Sequence, residues 1–429
     1  MTADVRRCVV AVAVALPLFL LGCTFSVGGL AKNEWHGDVG HYQYLGQRVL
    51  DGDVPYHDFY VEYPPGALPA FVVPAAISET HYVKTFKWLM ALVGSLTLIA
   101  AAVLLCVLGA GKLRLATGLG AIAISPPLLG HVYLNRYDPW AALLVSVALL
   151  ALAVRRARPA FAFLALAIAA KVYAIAALPV AAIRVLRAEG QRRLVQAGLT
   201  FVIVLAVVVL PFAIVAFGGL GFSFYTQSTR PLQIESLGAS ILLAADSIGL
   251  YETHMIGGKA NSIDLEGALP SLVGVLTSLA VIAAVLAVVW TYMRGGENRE
   301  RLVTAFAAAI VGYLVFFKVF SPQYMTWLIP LVPLVAGRRG RIATLLFLGA
   351  LLMTQIQIYG FDSVHGVPDT HVIYGKPHAW APWVLLGRNL LLVAVFFVLL
   401  TELRSGGISR AFPAPRGPAA RGGPPAEQG

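Results

Sequence analysis

The sequence predicts an all-α polytopic integral membrane protein: a bundle of about ten full spans, one short or re-entrant helix pair, and an interfacial helix in the first external loop. Three observations carry this. Of 429 residues, 59% are hydrophobic and 12% charged, whereas about a quarter of an ordinary soluble domain is charged. The mean hydropathy is +0.78. Apolar runs close to the roughly 20 residues that cross a bilayer recur along the chain, and the basic residues fall in alternate connections between them.

The spans are expected near 8–30, 83–109, 113–130, 138–154, 194–217, 268–291, 301–319, 341–358 and 381–403, with a shorter apolar run at 322–336. Residues 159–183 are apolar but interrupted by Lys171 and Pro179. They are too short for two spans and are read as a re-entrant hairpin or two short helices. Residues 66–78, bounded by Pro64, Pro65 and Pro74, are too short to cross and are placed as an interfacial helix. Residues 1–404 form one transmembrane domain; the Gly, Pro, Ala and Arg-rich end, 405–429, is read as a disordered cytoplasmic tail.

Lys and Arg near span ends mark the cytoplasmic side. Arg6, Arg7, Lys112, Arg114, Arg155, Arg156, Arg158, the basic residues of 184–193, 294–301 and 338–341, and the four tail arginines share one side. Both termini are therefore expected in the cytoplasm, with 31–82, 131–137, 218–267, 320–321 and 359–380 outside. These outer segments hold all nine histidines and, with Asp138 at the lip of its span, 15 of the 21 acids. Polar function is thus expected at the extracytoplasmic face of the cell membrane. The net charge of +11 is mostly a topology signal and not a nucleic-acid footprint, since no basic patch interleaves with aromatics in a folded domain. Cys8, Cys23 and Cys106 lie in apolar spans, so no disulfide framework is expected in the outer loops. Leu20-Leu21-Gly22-Cys23 has the form of a lipoprotein box, but the segment is long enough to span and is read as a helix.

The densest polar segment is 36–66, which holds five acids, Asp38 among them as the candidate base. Asp38 stands at the start of a short amphipathic helix reaching about Leu50. It reads as an N-cap or as a base presented to a lipid-borne substrate at the bilayer surface. Asp51-Gly52-Asp53 has the DxD form of metal–nucleotide sites, yet it is also an ordinary turn at a helix end. Neither metal nor cofactor is expected. Glu62-Tyr63-Pro64-Pro65 fixes an extended backbone, which presents Glu62 and Tyr63 rigidly or anchors the loop at the interface.

Lys171 sits in an apolar stretch, where a charge costs about 2.5–3.5 kcal/mol unless it snorkels or finds a partner or cavity. Arg230 in Ser228-Thr229-Arg230-Pro231-Leu232-Gln233 and Lys318 in Lys318-Val319-Phe320-Ser321-Pro322-Gln323-Tyr324 set cations, hydroxyls and amides at headgroup level. That composition suits a phosphate, with Arg offering a bidentate fork and Lys a point charge. Gly-rich phosphate loops, HExxH, paired CxxC and GxSxG are absent from the sequence.

The order of Gly37-Asp38, Pro55-Tyr56, Glu62-Tyr63-Pro64-Pro65, Lys171-Val172-Tyr173, Arg230-Pro231-Leu232-Gln233-Ile234-Glu235-Ser236 and Ser321-Pro322-Gln323-Tyr324 resembles the C-type membrane glycosyltransferases. More narrowly it resembles actinobacterial polyprenyl-phosphate-mannose-dependent mannosyltransferases. The resemblance implies Asp38 as catalytic base, a polyprenyl-phosphate sugar as donor, a lipid-linked glycan as acceptor and membrane lipids as surroundings. Arg230 and Lys318, with Lys171 deeper, would bind the donor phosphate. His41, Tyr56, Glu62, Tyr63, Gln233, Gln323 and Tyr324 are the remaining substrate-binding candidates. A lipid phosphate leaves as a stable anion, so one carboxylate suffices where glycoside hydrolysis needs two. Polyprenyl-phosphate arabinofuranose is an alternative donor. A flippase of lipid-linked sugars is the rival from another class, disfavoured because no paired, broken spans recur in two matching halves.

Overall fold

Fifteen α-helices account for most of the computed structural model, which describes residues 3–26, 28–31, 37–258, 262–367 and 370–405. In order they are α1 (Ala3–Phe25), α2 (Val39–Leu50), α3 (Leu68–Ile77), α4 (Tyr82–Val107), α5 (Lys112–Leu129), α6 (Asp138–Ala153), α7 (Ala157–Ala170), α8 (Leu178–Glu189), α9 (Gln191–Val215), α10 (Phe217–Ser228), α11 (Leu237–Ser247), α12 (Ala268–Arg294), α13 (Arg299–Phe316), α14 (Gly337–Gly360) and α15 (Ala381–Ser405). The class is the expected one, because a chain that loses water must satisfy its backbone within each segment. His36 and the tail beyond 405 lie outside the described residues.

Among the described residues, seven helices are long and apolar enough to cross a membrane: α1, α4, α5, α9, α12, α14 and α15. The three other expected runs differ for readable reasons. α6 has 16 residues, short of a full crossing. α13 opens on Arg299-Glu300-Arg301 and is buried along nearly its whole length, so it serves as the axis of the bundle. Residues 322–336 form no continuous helix; the 3-10 turns Pro322–Trp327 and Val332–Leu334 replace it, since Pro322, Pro330 and Pro333 remove ladder donors. By contrast α9 turns Val202, Val207, Leu210 and Ile214 outward, as a helix facing lipid should.

The interrupted stretch at 159–183 resolves into two short helices. Lys171 is extended (φ −160°, ψ 123°) between α7 and the 3-10 turn Val172–Ala177, after which α8 begins. The piece at 66–78 is a 3-10 turn at Pro65–Ala67 continued by α3, which packs on α2 and α4. Cys8 of α1 and Cys106 of α4 are joined in a disulfide with Cα atoms 6.3 Å apart, while Cys23 is buried and free within α1. That pairing was not readable from composition, which does not say which spans are neighbours.

Short strands, also unforeseen, order two of the loops. β1 (Leu232–Gln233), β2 (His254–Gly257) and β3 (Ile263–Glu266) form an antiparallel sheet in the order β1-β3-β2, with Leu232 opposite Leu265 and Gln233 opposite Asp264. β4 (His365–Gly366) pairs with β5 (Ile373–Tyr374). Leu232 and Leu265 pack with Leu242, Leu243 and Leu385 in a small core of their own, which fixes the segment 230–236 against α11 and α15.

Candidate active site

Asp38 occupies the N-cap position of α2, yet its side chain makes no capping bond. The carboxylate instead turns sideways. Tyr42 Oη donates to Oδ2 at 3.4 Å, and Arg136 Nη1 lies 3.5 Å from the same oxygen. Gly37 makes this possible. Its φ is +60°, and a Cβ there would stand 2.7 Å from Arg136 Nη1, so a side chain would be strained and would displace the guanidinium. Tyr42 is fully buried, stacked on Phe71 at 4.5 Å and edge-on to Tyr63 and Tyr137. The start of α2 therefore rests on an aromatic floor.

The first loop reaches the same place through Gly66. Its backbone sits against the end of α7 so closely that a Cβ would be 2.6 Å from the Ala169 carbonyl carbon, and Trp140 Nε1 donates to its carbonyl at 3.1 Å. This seats Glu62 and Tyr63 beside Asp38. Together with residues of 131–137, 224–235, 262–263, 313–327 and 358–362 they enclose a cavity of about 600 Å³.

Eight of the residues predicted from sequence line this cavity: Asp38, Glu62, Tyr63, Lys171, Arg230, Gln233, Gln323 and Tyr324. Three do not. His41 is exposed on α2 beside the Tyr44 and Tyr63 rings. Tyr56 is buried with φ +67°, packs on Phe212 and donates to the Tyr63 carbonyl at 2.6 Å, so it braces the loop. Lys318 Nζ donates to the Ser228 carbonyl at 3.1 Å. The DxD turn is also elsewhere: Asp51 accepts from Gln47 at 3.2 Å and Asp53 is paired with Arg48, which is the helix-end reading. Among the described residues, no three His, Cys, Asp or Glu side chains are grouped to hold a metal ion.

Lys171 meets a partner that sequence reasoning had left unpaired with it. Its Nζ lies 2.9 Å from Asp138 Oδ1, an oxygen that also accepts from Trp327 Nε1 at 2.7 Å. Tyr137, Tyr324 and Trp327 place ring faces 4.5–5.7 Å from the ammonium. Tyr173, Trp327 and Tyr324 stack in sequence at 3.8 and 4.2 Å. The break between α7 and α8 is thus the floor of the cavity, neutralised by an internal pair.

Another wall, from segment 224–235, carries both a cation and a carboxyl, Arg230 and Glu235. Arg230 is 8% exposed and its Nε has no hydrogen-bond partner. Gln233 bridges from this segment to Ser321 Oγ at 3.2 Å, joining two motifs that are far apart in sequence. Glu235, at the same wall, accepts from Gln357 Nε2 at 2.8 Å, and its carbonyl accepts from Arg388 and Asn389. Burial pushes the Glu235 carboxyl up to about 7, against the opposing pull of Arg388 and the Gln357 hydrogen bond. Arg388, wholly buried in α15, also lies 3.9 Å from the Phe320 ring centre. Sequence reasoning assigned no role to Glu235 or Arg388. A lone arginine inside the last apolar run was the available signal, since such charges seek an internal partner.

Residues 60–322 match the family model for glycosyltransferase family 87. The chain belongs to this family. No curated protein matches the chain. This family 87 member is thus a glycosyltransferase, and the matched stretch takes in Glu62, Lys171, Arg230 and Gln233. Asp38 lies well before the matched stretch and Tyr324 just after it, and both reach the same cavity through the fold.

Proposed function

We propose that the enzyme is an inverting glycosyltransferase that moves a mannosyl residue from a polyprenyl-phosphate donor to a hydroxyl of a lipid-linked glycan at the extracytoplasmic face. The observation that carries this reading is Asp38, a residue in N-cap position whose carboxylate is not spent on the helix and lines the cavity that Arg230 also lines. Asp38 accepts the proton of the acceptor hydroxyl, and Arg136 and Tyr42 hold its orientation. The acceptor oxygen bonds to the anomeric carbon as the carbon–oxygen bond to phosphate breaks on the opposite side, which inverts that centre. The phosphate leaves as an anion beside Arg230, a nearly buried guanidinium in the cavity wall. Charge placed in advance where the leaving group becomes negative usually lowers the barrier most, and base catalysis adds a factor of about 10² to 10⁴ in rate.

The apolar part of the same cavity, Phe224, Phe317, Ile358 and Phe361, suits the first isoprene units of the donor. Most of the cavity's lining comes from the segments that charge bias puts outside, and the rest from the adjoining ends of apolar runs and the break at Lys171, which supports the assignment of the face. Lys171, held by Asp138, shapes the floor under this reading and does not bind phosphate directly.

The test is incubation of purified protein with radiolabelled polyprenyl-phosphate mannose or polyprenyl-phosphate arabinofuranose and candidate lipid acceptors. Transfer of mannose, lost in Asp38→Asn, is the expected result. Transfer of arabinose alone replaces the sugar, and transfer that survives Asp38→Asn removes the base assignment.

A further inference from the structure

A second cavity, of about 850 Å³, lies on the seam between α5 and α14, beside the 3-10 turn Val332–Leu334. Four cations line it: Lys112 and Arg114 from the first turn of α5, and Arg338 and Arg341 from the start of α14. Among the described residues, no carboxylate does. Arg114 is committed to Glu300 at 2.6 and 2.7 Å and to the Leu334 carbonyl. Lys112, Arg338 and Arg341 are exposed and have no ion pair among the described residues. The N-termini of both helices open at this end without side-chain caps, which adds positive partial charge to the same place. Further along, the walls are Gly120, Ile124, Leu345 and Leu348. From Lys112 to Ile124 the groove follows about 18 Å of helix.

We propose that this seam is a binding site for one anionic phospholipid, with its phosphate held by Lys112, Arg338 and Arg341 and an acyl chain laid along Gly120, Ile124 and Leu348. The charge pattern selects this occupant. A zwitterionic lipid brings a cation of its own to a rim that is already cationic. An apolar helix from another protein leaves the three charges without counter-ions. Basic pockets between transmembrane helices on the cytoplasmic side recur as sites for anionic headgroups, and these residues lie on the side that charge bias puts in the cytoplasm.

Gly120 supplies a decisive variant, because a Cβ at that position meets nothing within 4 Å. Gly120→Leu fills the apolar groove and leaves every charge in place. The full-length protein in detergent is titrated with phosphatidylglycerol, phosphatidylcholine or inorganic phosphate, and bound lipid is counted by native mass spectrometry. One phosphatidylglycerol should bind saturably, phosphatidylcholine and phosphate should not displace it, and Gly120→Leu should abolish it. Neutralising Lys112, Arg338 and Arg341 to Gln should weaken binding about a hundredfold, at roughly fivefold for each basic residue at an anionic surface. Equal retention of the two lipids, or phosphatidylglycerol binding unchanged in Gly120→Leu, overturns the proposal. Displacement by inorganic phosphate also overturns it, since the site would then be for a free anion. Sugar transfer and gel-filtration profile, unchanged in these variants, check that they remain folded.

Discussion

Replacing Lys171 by Met separates a structural ammonium from a phosphate ligand, the two roles open to it. The Asp138 side chain is 1% exposed and that of Lys171 15%, so the pair is effectively out of water. Asp138 Oδ1 takes both hydrogen bonds, from Lys171 and Trp327, and Oδ2 is buried without one. Lys171→Met keeps the length and apolar stem of the side chain but leaves a buried carboxylate with one neutral donor. Breaking a buried pair from one side costs about 3–5 kcal/mol. The escape route, uptake of a proton from water at pH 7, costs an ordinary aspartate about 4 kcal/mol. A loss of about 3–4 kcal/mol is therefore expected. Asp138→Asn combined with Lys171→Met removes both charges and should restore about 2 kcal/mol of it, the coupling typical of residues in contact. Denaturant titration of the four proteins in detergent, followed by tryptophan fluorescence, gives the cycle. If Lys171→Met unfolds like the wild type and has lost donor affinity instead, the ammonium is a phosphate ligand and its pairing with Asp138 does not govern the site.

Asp38→Asn should lower transfer by about 10² to 10⁴ with donor affinity kept, whereas Asp53→Asn, whose carboxylate pairs with Arg48 away from the cavity, should stay within a few-fold; steady-state kinetics decide, and a reversal of the two would revive the DxD reading. Arg230→Lys should reduce turnover by more than Lys318→Ala does, because a guanidinium fork in the cavity wall is exchanged for a point charge while Lys318 serves a backbone carbonyl off the cavity; equal effects would show that both cations act together. The Glu235 carboxyl is raised from 4.5 to about 7, so its neutral form is the one the fold favours: its contribution is complete below about pH 4.5 and is lost as pH rises through about 7. Glu235→Gln should flatten the fall in unfolding free energy over that window, and an unchanged pH slope would remove Glu235 as its source. Single cysteines at Ser363 and Ser405 test the orientation: an impermeant thiol reagent on intact cells should label position 363 and spare 405, and the opposite pattern would move the site to the cytoplasm.

Composition and period alone were enough to define a bundle of apolar helices, because a residue's transfer from water to lipid depends on its own side chain and not on its neighbours. The same locality made the break at Lys171 and the short helix at 66–78 readable, since prolines and a stranded charge interrupt a helix wherever the chain goes. Asp38 could be singled out as a carboxylate at a helix start, but both of its readings were open, as only the tertiary structure shows whether the side chain caps the helix. It turns toward Tyr42 and Arg136, a residue about a hundred positions later. Lys171 was legible as a charge needing a partner, yet Asp138 and Trp327 became its partners through packing of α6 against the turn after α13. Glu235 and the Cys8–Cys106 pair were beyond the sequence for the same reason, and Arg388 was legible only as a charge inside an apolar run. Their environments are made by helices distant in the chain, and burial, pairing and the cavity's charge are properties of that convergence.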